Sequence, residues 1–378
     1  MKHRIVVLGA GYTGAHAAGR LARRLHPHDV EITLVNAEPD FVERVRLHQL
    51  ATGQTLRPRP LSEVYAGTGV TVREARVTGL DPDRRTVQLS DGELSYDTLV
   101  YALGSTAAGP EDGHHVASRP AALRLRDRLG ELPAGGTVLV VGGGLTGIET
   151  VTEIAESRPD LRVSIATRGA LGDWLSEKAQ QHLRGALARL NITVHDDTDI
   201  TGDGEIRADV TVRTGGFAVH PIAAATTLQV TATGQIEVDG TMRSVSHPDV
   251  YAVGDAGFAI GVNGKPLRMA CGSGIPMAWQ AADALAARLT GRKVPESPIP
   301  YYTQCISLGR HDGIIQPVTR DDRAKPSAIT GGPAARIKEL ICAGAAWSIA
   351  HPTVLLPARR RRLTPAAAQA SAQAPSSF

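Results

Sequence analysis

Apolar positions along the chain fall into short continuous runs, and two of those runs are built alike. Residues 4–21 (RIVVLGAGYTGAHAAGRL) and 137–154 (TVLVVGGGLTGIETVTEI) each start as a β-branched strand, cross a glycine-rich turn and continue as a helix. Each is followed by a second apolar strand, EITLV at 31–35 and RVSIA at 162–166. Continuous rather than alternating hydrophobicity points to strands buried on both faces, as in a parallel sheet covered by helices. The pattern predicts two separate strand–helix–strand units.

Between these units lie short strands at Val70–Arg73, Thr86–Leu89 and Thr98–Ala102, divided by turn signals such as Asp91-Gly92. The spacing predicts an amphipathic helix over Ser176–Leu190, with Ser176 as its N-cap, and then a strand over Asn191–His195. A short buried strand is expected at Val250–Val253 and a helix over Gly274–Leu289, ending near Gly291. From Tyr301 the pattern changes to short β-like pieces and one helix, Pro333–Ala343. Residues 364–378 are mostly Ala, Pro, Gln and Ser and are expected to form a disordered tail, since they bring little apolar surface to offset the entropy of ordering.

Composition narrows this picture. A chain of 378 residues calls for more than one domain. Aromatic residues are only 4%, so the core must be built from Ala, Val, Leu and Ile, which suits close helix-on-sheet layers. The net charge of +3 comes from interspersed acids and bases and carries no nucleic-acid signature. The three cysteines, Cys271, Cys305 and Cys342, show neither a paired nor a zinc-binding spacing, so no metal is expected. Reduced thiols fit a cytoplasmic protein. The opening MKHRIVVL reads directly as a strand, with no signal peptide expected. His351 and Pro352 interrupt the apolar stretch Leu340–Leu356, and no other run approaches the length of a membrane span.

Gly9-Ala10-Gly11-Tyr12-Thr13-Gly14 stands between a strand and a helix. Gly9 permits the tight turn, Gly11 lets backbone approach a pyrophosphate and Gly14 lets helix and strand pack closely; Tyr12 and Thr13 lie within the loop. The helix N-terminus adds free N–H groups and a favourable dipole for the anion. The following strand ends at Asn36, where an acid often binds ribose hydroxyls; an amide can accept and donate there without charge. Gly142-Gly143-Gly144-Leu145-Thr146-Gly147 repeats the arrangement, so Gly142, Gly144 and Gly147 form a second cradle, followed by Glu149. The next strand runs out into Thr167-Arg168 with no acid. A missing acid removes repulsion of a 2′-phosphate, and Arg168 is placed to bind one or to stand as a solvated surface charge. Both NADH and NADPH stay open. A third signal is Tyr251-Ala252-Val253-Gly254-Asp255, a strand ending in a Gly-Asp turn whose carboxylate can accept hydrogen bonds from polyol hydroxyls.

Together with LHQLATG (47–53), YDTLVYALGS (96–105) and SHPDVYAVGD (246–255), these motifs resemble the flavoproteins with two dinucleotide-binding domains, and within them the type II NADH dehydrogenases and their relatives. The resemblance runs from residue 4 to about 310. It implies FAD on Gly9, Gly11, Gly14, Gly254 and Asp255, with the FAD domain closing near Gly104. It implies NAD(P)H on Gly142, Gly144 and Gly147, with Glu149 near the nicotinamide. Arg46 and His48 fall in the loop that approaches the isoalloxazine in relatives, where a cation would stabilise reduced flavin; loop anchoring is the equal alternative. Cys271 and Cys305 read as small buried hydrophobes or as neighbours of the flavin, and Trp279 as filling between helix and sheet or stacking near the ring.

Departures limit the resemblance. Residues 41–55 contain no cysteine, so a dithiol relay beside the flavin is excluded. Quinone-reducing relatives carry an AQxAxQ run, whereas the matching stretch here is Ile275-Pro276-Met277-Ala278-Trp279-Gln280; Ala278 and Gln280 fit, Ile275 and Pro276 do not. Arg359-Arg360-Arg361-Arg362 beside the apolar 334–349 segment could touch anionic lipid or be a solvated tail.

The sequence thus predicts an α/β fold with two Rossmann-type dinucleotide-binding domains. The FAD domain spans 1–108 and 231–300, the NAD(P)H domain is inserted at 109–230, and a small C-terminal domain at 301–363 is a candidate dimer interface. The expected activity is hydride transfer from NAD(P)H through FAD to a quinone or quinone-like acceptor, with Glu149 and Gln280 as catalytic candidates. Three alternatives stand: reduction of a small iron–sulfur carrier protein, tailoring of a secondary metabolite, and a nicotinamide-responsive flavoprotein of the apoptosis-inducing-factor type. The expected location is the cytoplasm, with peripheral contact on the inner face of the membrane open.

Overall fold

The computed structural model describes residues 1–107, 113–198, 206–353 and 360–365. The boundary expected at 108–109, Arg359 and nearly all of the expected disordered tail lie outside these residues.

The first glycine-rich unit builds a five-stranded parallel sheet. Its order is Val250–Ala252, Thr98–Tyr101, His3–Leu8, Val30–Asn36 and Val70–Glu74. Successive residues of a strand point to opposite faces, and the central strand divides its side chains accordingly. Ile5 and Val7 join one buried cluster with the helices Tyr12–Arg24 and Cys271–Leu289. Val6 and Leu8 join another cluster with Leu80, Val87 and Leu89 from an antiparallel three-stranded sheet, and with Tyr96 just beyond it. The two helices approach closely because buried Ala15 and Ala18 face a run of buried alanines that includes Ala278 and Ala282. Asp283 fixes their register by accepting from Arg20 at 2.6 Å and Arg24 at 2.9 Å.

The second unit is a four-stranded parallel sheet in the order Thr193–His195, Arg162–Ala166, Thr137–Val141, Val210–Arg213. The helices Arg119–Glu131, Leu145–Ser157 and Glu177–Arg189 bury Leu125, Ile148, Val151 and Leu183 against it. Ser176 caps the last of these through its hydroxyl, as expected. An antiparallel ribbon, Ser105–Ala107 on Phe217–Val219, joins the segments that flank this unit. Strands Thr303–Ser307, Gly313–Pro317 and Ile329–Thr330 form a final antiparallel sheet, backed by the helix Gly332–Ala350.

Two helices run longer than their sequence pattern predicts. The first starts at Cys271 rather than Gly274 and carries Pro276 inside it. Gly274 is small for close approach, not for breaking: a Cβ there would lie 2.6 Å from the Thr13 methyl. The last helix passes Gly344 and ends at Ala350, because Ala346 and Ile349 still have buried positions to fill. Pro352 then lies against Gly19, where a Cβ would come within 2.6 Å of its ring.

The basic run is not a loose tail where it is described. Arg361 bridges to Leu25, Arg362 pairs with Asp29 at 2.6 Å, and the Leu363 N–H donates to the same carboxylate. Trp279 does not fill a helix–sheet gap; it is 41% exposed. No described helix is long and apolar enough to cross a membrane.

Candidate active site

The two glycine clusters fold into the same cradle. Gly9 has φ +91° and Gly142 φ +122°, backbone that favours glycine. Gly14 and Gly147 each press on the carbonyl of that first glycine, so any side chain there collides with backbone. Gly11 and Gly144 instead have open space, with nothing within 4 Å of a Cβ. Both serve as N-caps without a side-chain hydrogen bond, leaving helix-end N–H groups available to an anion. Each cradle therefore fits a dinucleotide pyrophosphate by the same three-glycine division of labour.

The first cradle is closed by residues far apart in sequence. Gly254, φ +69°, lies against Thr13, so the Gly-Asp turn and the N-terminus of helix Cys271–Leu289 meet at the cradle. Asp255 accepts from the Ser105 hydroxyl at 2.5 Å and lies 3.9 Å from the Arg44 guanidinium. Arg44 donates to the Ser105 carbonyl at 2.7 Å and lies 5.3 Å from the Phe217 ring centroid. Gly104, φ +72°, lets the chain turn beneath Arg44. This set offers a cation for phosphate and a carboxylate for hydroxyls, the donors and acceptors that FAD requires.

Glu149 stands at the junction of its own helix, the strand Thr303–Ser307 and the last helix. Its carboxylate accepts from Lys338 Nζ at 2.8 Å and from the Ser307 N–H at 3.0 Å. Burial opposes its charge, but the Lys338 ammonium and the hydrogen bonds from Lys338 and the Ser307 N–H hold its pKa below the usual value. The same carboxylate raises the Lys338 pKa against burial. His48 is buried, its Nε2 has no hydrogen-bond partner among the described residues, and burial pulls its pKa down to about 4. It is therefore neutral and supplies no cation. One turn along the helix, Glu153 accepts a short hydrogen bond from Gln54. Burial pushes its pKa up to about 7.

Several sequence candidates sit elsewhere than expected. Asn36 has both ends of its amide engaged: Oδ1 accepts from the Ala10 N–H at 2.9 Å and Nδ2 donates to the Glu38 carbonyl at 2.8 Å. It braces the glycine loop. Arg46 turns to Glu339 at 2.6 Å and Glu43 at 3.2 Å, tying the loop to the last helix. Gln280 donates to the carbonyls of Pro295 at 2.9 Å and Gly240 at 3.3 Å. Burial pushes the Cys271 thiol up to about 11, so it is no nucleophile at neutral pH. Arg168 is exposed beyond the strand it follows and forms no ion pair among the described residues. Sequence reasoning missed Arg44, two residues from Arg46 in the same ERVR run. It also missed Lys338, whose partner is set by tertiary folding alone. No group of three or more metal-ligating side chains occurs among the described residues.

The pyridine nucleotide-disulphide oxidoreductase family model matches residues 3–286, most of the chain and both cradles. The chain belongs to this family. FAD and NAD(P)H are the cofactors of this oxidoreductase. It is 25% identical to an NADH dehydrogenase-like protein of Bacillus subtilis, over 82% of this chain and 91% of that one. It is also 25% identical to a demethylphylloquinone reductase of Synechocystis, over 82% of this chain and 86% of that one. Among solved structures it superposes on the sulfide:quinone oxidoreductase of Aquifex aeolicus with a TM-score of 0.78, at 18% identity, covering 94% of this chain and 93% of that one.

Proposed function

We propose that the oxidoreductase takes hydride from NAD(P)H and delivers two electrons to a quinone or quinone-like aromatic acceptor. The flavin, when bound, supplies the redox chemistry; the protein supplies position and charge. One observation carries the reading: the chain builds two pyrophosphate cradles of the same construction, and the helix that leaves the second carries a buried ion pair, Glu149–Lys338. In this reading residues 1–108 and 231–300 hold FAD, through Gly9, Gly11, Tyr12, Thr13, Gly14, Arg44, Gly104, Gly254 and Asp255. Residues 109–230 hold the nicotinamide nucleotide, through Gly142, Gly144, Gly147 and Arg168. Residues 301–363 provide Lys338. Asn36 supports the first loop, and Arg46 and Gln280 hold neighbouring segments in place. Glu149 orients the Lys338 ammonium, and the pair excludes water while offering a proton donor at the junction.

The names of the two relatives support the two ends of the transfer: an NADH dehydrogenase-like protein a nicotinamide donor, and a demethylphylloquinone reductase a quinone as acceptor. A membrane-soluble acceptor calls for a surface that meets lipid. The last helix offers one: Leu340, Ile341 and Trp347 are 71%, 45% and 44% exposed.

The test is anaerobic reduction of the FAD-loaded protein by NADH or NADPH, then reoxidation by menadione or by a ferredoxin. Bleaching of the flavin by a nucleotide and rapid recovery with menadione alone is the expected result. Recovery with ferredoxin alone would move the assignment to a carrier-protein reductase.

A further inference from the structure

Glu153 is a carboxyl group that the reading above does not use. It stands four residues after Glu149 on the helix Leu145–Ser157, so the two side chains share one face about 6 Å apart. It is 1% exposed. Oε1 accepts from Gln54, whereas Oε2 is buried with no hydrogen-bond partner among the described residues. An ionised carboxylate left in that state is expensive, and a neutral acid is not. The groups that face it come from every neighbouring element: Gln54 from the loop after helix Leu47–Ala51, Arg310 from beyond strand Thr303–Ser307, and Glu149 and Glu156 from its own helix. Glu156 is anchored by the Arg310 N–H at 2.5 Å. Burial is the main cause that raises the pKa of Glu153 to about 7; the Arg310 guanidinium opposes it, and the carboxylates of Glu156 and Glu149 add to it.

Gln54 also forms part of the wall of an open cleft of about 190 Å3, together with Phe41, Leu47, Leu50, Leu56 and Arg57. Glu153 therefore has the junction pair on one side and, through Gln54, a solvent-filled cleft on the other.

We propose that Glu153 is the proton store of this enzyme, handing a proton inward to the Glu149–Lys338 pair and recovering one from the cleft behind Gln54. The inference rests on the function proposed above. The balance requires such a store: NAD(P)H plus one proton plus the acceptor gives NAD(P)+ plus the dihydro product, so each turnover draws one proton from solvent. Lys338 gives an N–H proton to the acceptor oxygen. The neutral amine left beside Glu149 is a stronger base than the Glu153 carboxylate, so the proton moves from Glu153 to Lys338 by way of Glu149. The Glu153 O–H bond is then re-formed with a proton from cleft water, which reaches the carboxylate when the Gln54 side chain swings out of its hydrogen bond. Glu153 acts through its neighbours and is a positioning residue for the proton.

The experiment compares wild type, Glu153→Gln and Glu153→Asp as FAD-loaded proteins. Infrared titration reads protonation independently of turnover. A buried carboxylic-acid band should fade as pH rises through about 7 in wild type and be missing in Glu153→Gln. In anaerobic stopped flow, Glu153→Gln should reduce its flavin with NAD(P)H within about twofold of wild type but reoxidise with menadione at least about 10-fold more slowly. Its reoxidation should also lose the pH inflection that Glu153→Asp keeps. A normal flavin spectrum and melting temperature establish that Glu153→Gln is folded. The proposal is overturned if Glu153→Gln keeps either the wild-type infrared band or the wild-type pH profile of reoxidation. If wild type itself accepts no electrons from either nucleotide, the function falls, while the infrared band still decides whether Glu153 stores a proton.

Discussion

Lys338 and Glu149 meet at 2.8 Å, one from the last helix and the other from the second turn of the second cradle helix. Lys338 also donates to the Cys305 carbonyl at 3.0 Å, so one ammonium ties three parts of the chain together. Removing one partner of a buried pair leaves the other charge uncompensated. Lys338→Met should therefore lower unfolding free energy by about 3 kcal/mol in chemical denaturation. The double variant with Glu149→Gln should recover part of that loss. Additive losses would mean that the pair contributes no coupling.

The cradles should fail separately. A methyl group at Gly14 or Gly147 runs into the carbonyl of Gly9 or Gly142. Gly14→Ala should purify with far less FAD, read from the ratio of flavin to protein absorbance. Gly147→Ala should stay yellow and show a KM for the nucleotide raised about 10-fold or more, equivalent to roughly 1.4 kcal/mol of binding.

Arg168 should set nucleotide preference. It is exposed after the end of the Arg162–Ala166 strand with no acid beside it in sequence, so a 2′-phosphate meets attraction there rather than repulsion. Arg168→Glu should lower kcat/KM for NADPH by about 10-fold or more while changing that for NADH much less. Equal effects on both nucleotides would remove Arg168 from the site.

Two buried groups make stability depend on pH in opposite senses. His48 is pulled down to about 4 when folded, so the unfolded chain binds a proton more readily, and stability is lost as pH falls from about 6.5 toward 4. Glu153 is pushed up to about 7, so its contribution is full below its unfolded value and is lost as pH rises through about 7. Replacing His48 with Phe should flatten the acid limb of a melting-temperature profile. Glu153→Gln should flatten the decline between about pH 4.5 and 7, an effect on the order of 3 kcal/mol.

Much of this site is legible because its signals are local. A glycine required at positive φ and a strand that runs into it are neighbours in sequence, so Gly9, Gly11, Gly14 and their counterparts at 142–147 can be read directly. Gly254-Asp255 is legible for the same reason. The resemblance offers Arg46 and His48 either as cations beside the flavin or as anchors of their loop; Glu339 and Glu43 hold Arg46 in the anchoring role, while Arg44, without a signal of its own, reaches Ser105. Asn36 looked like a ribose ligand because its strand ends there; the nearer Ala10 N–H claims its oxygen. Lys338 and Gln54 carry no local signal, since their partners come from other layers of the fold. The helices continue through Gly274 and Gly344 for a related reason. Glycine weakens a helix in isolation, but tertiary packing decides whether the helix continues.

The Arg361–Leu25 bridge and the Arg362–Asp29 contact stitch the far end of the described chain to the exit of the first cradle helix. The polypeptide is in effect laced shut. Anything that pulls on the carboxyl terminus, whether a fused partner, a protease or a surface that grips the last helix, tugs directly on the helix whose opposite tip carries the first glycine cradle.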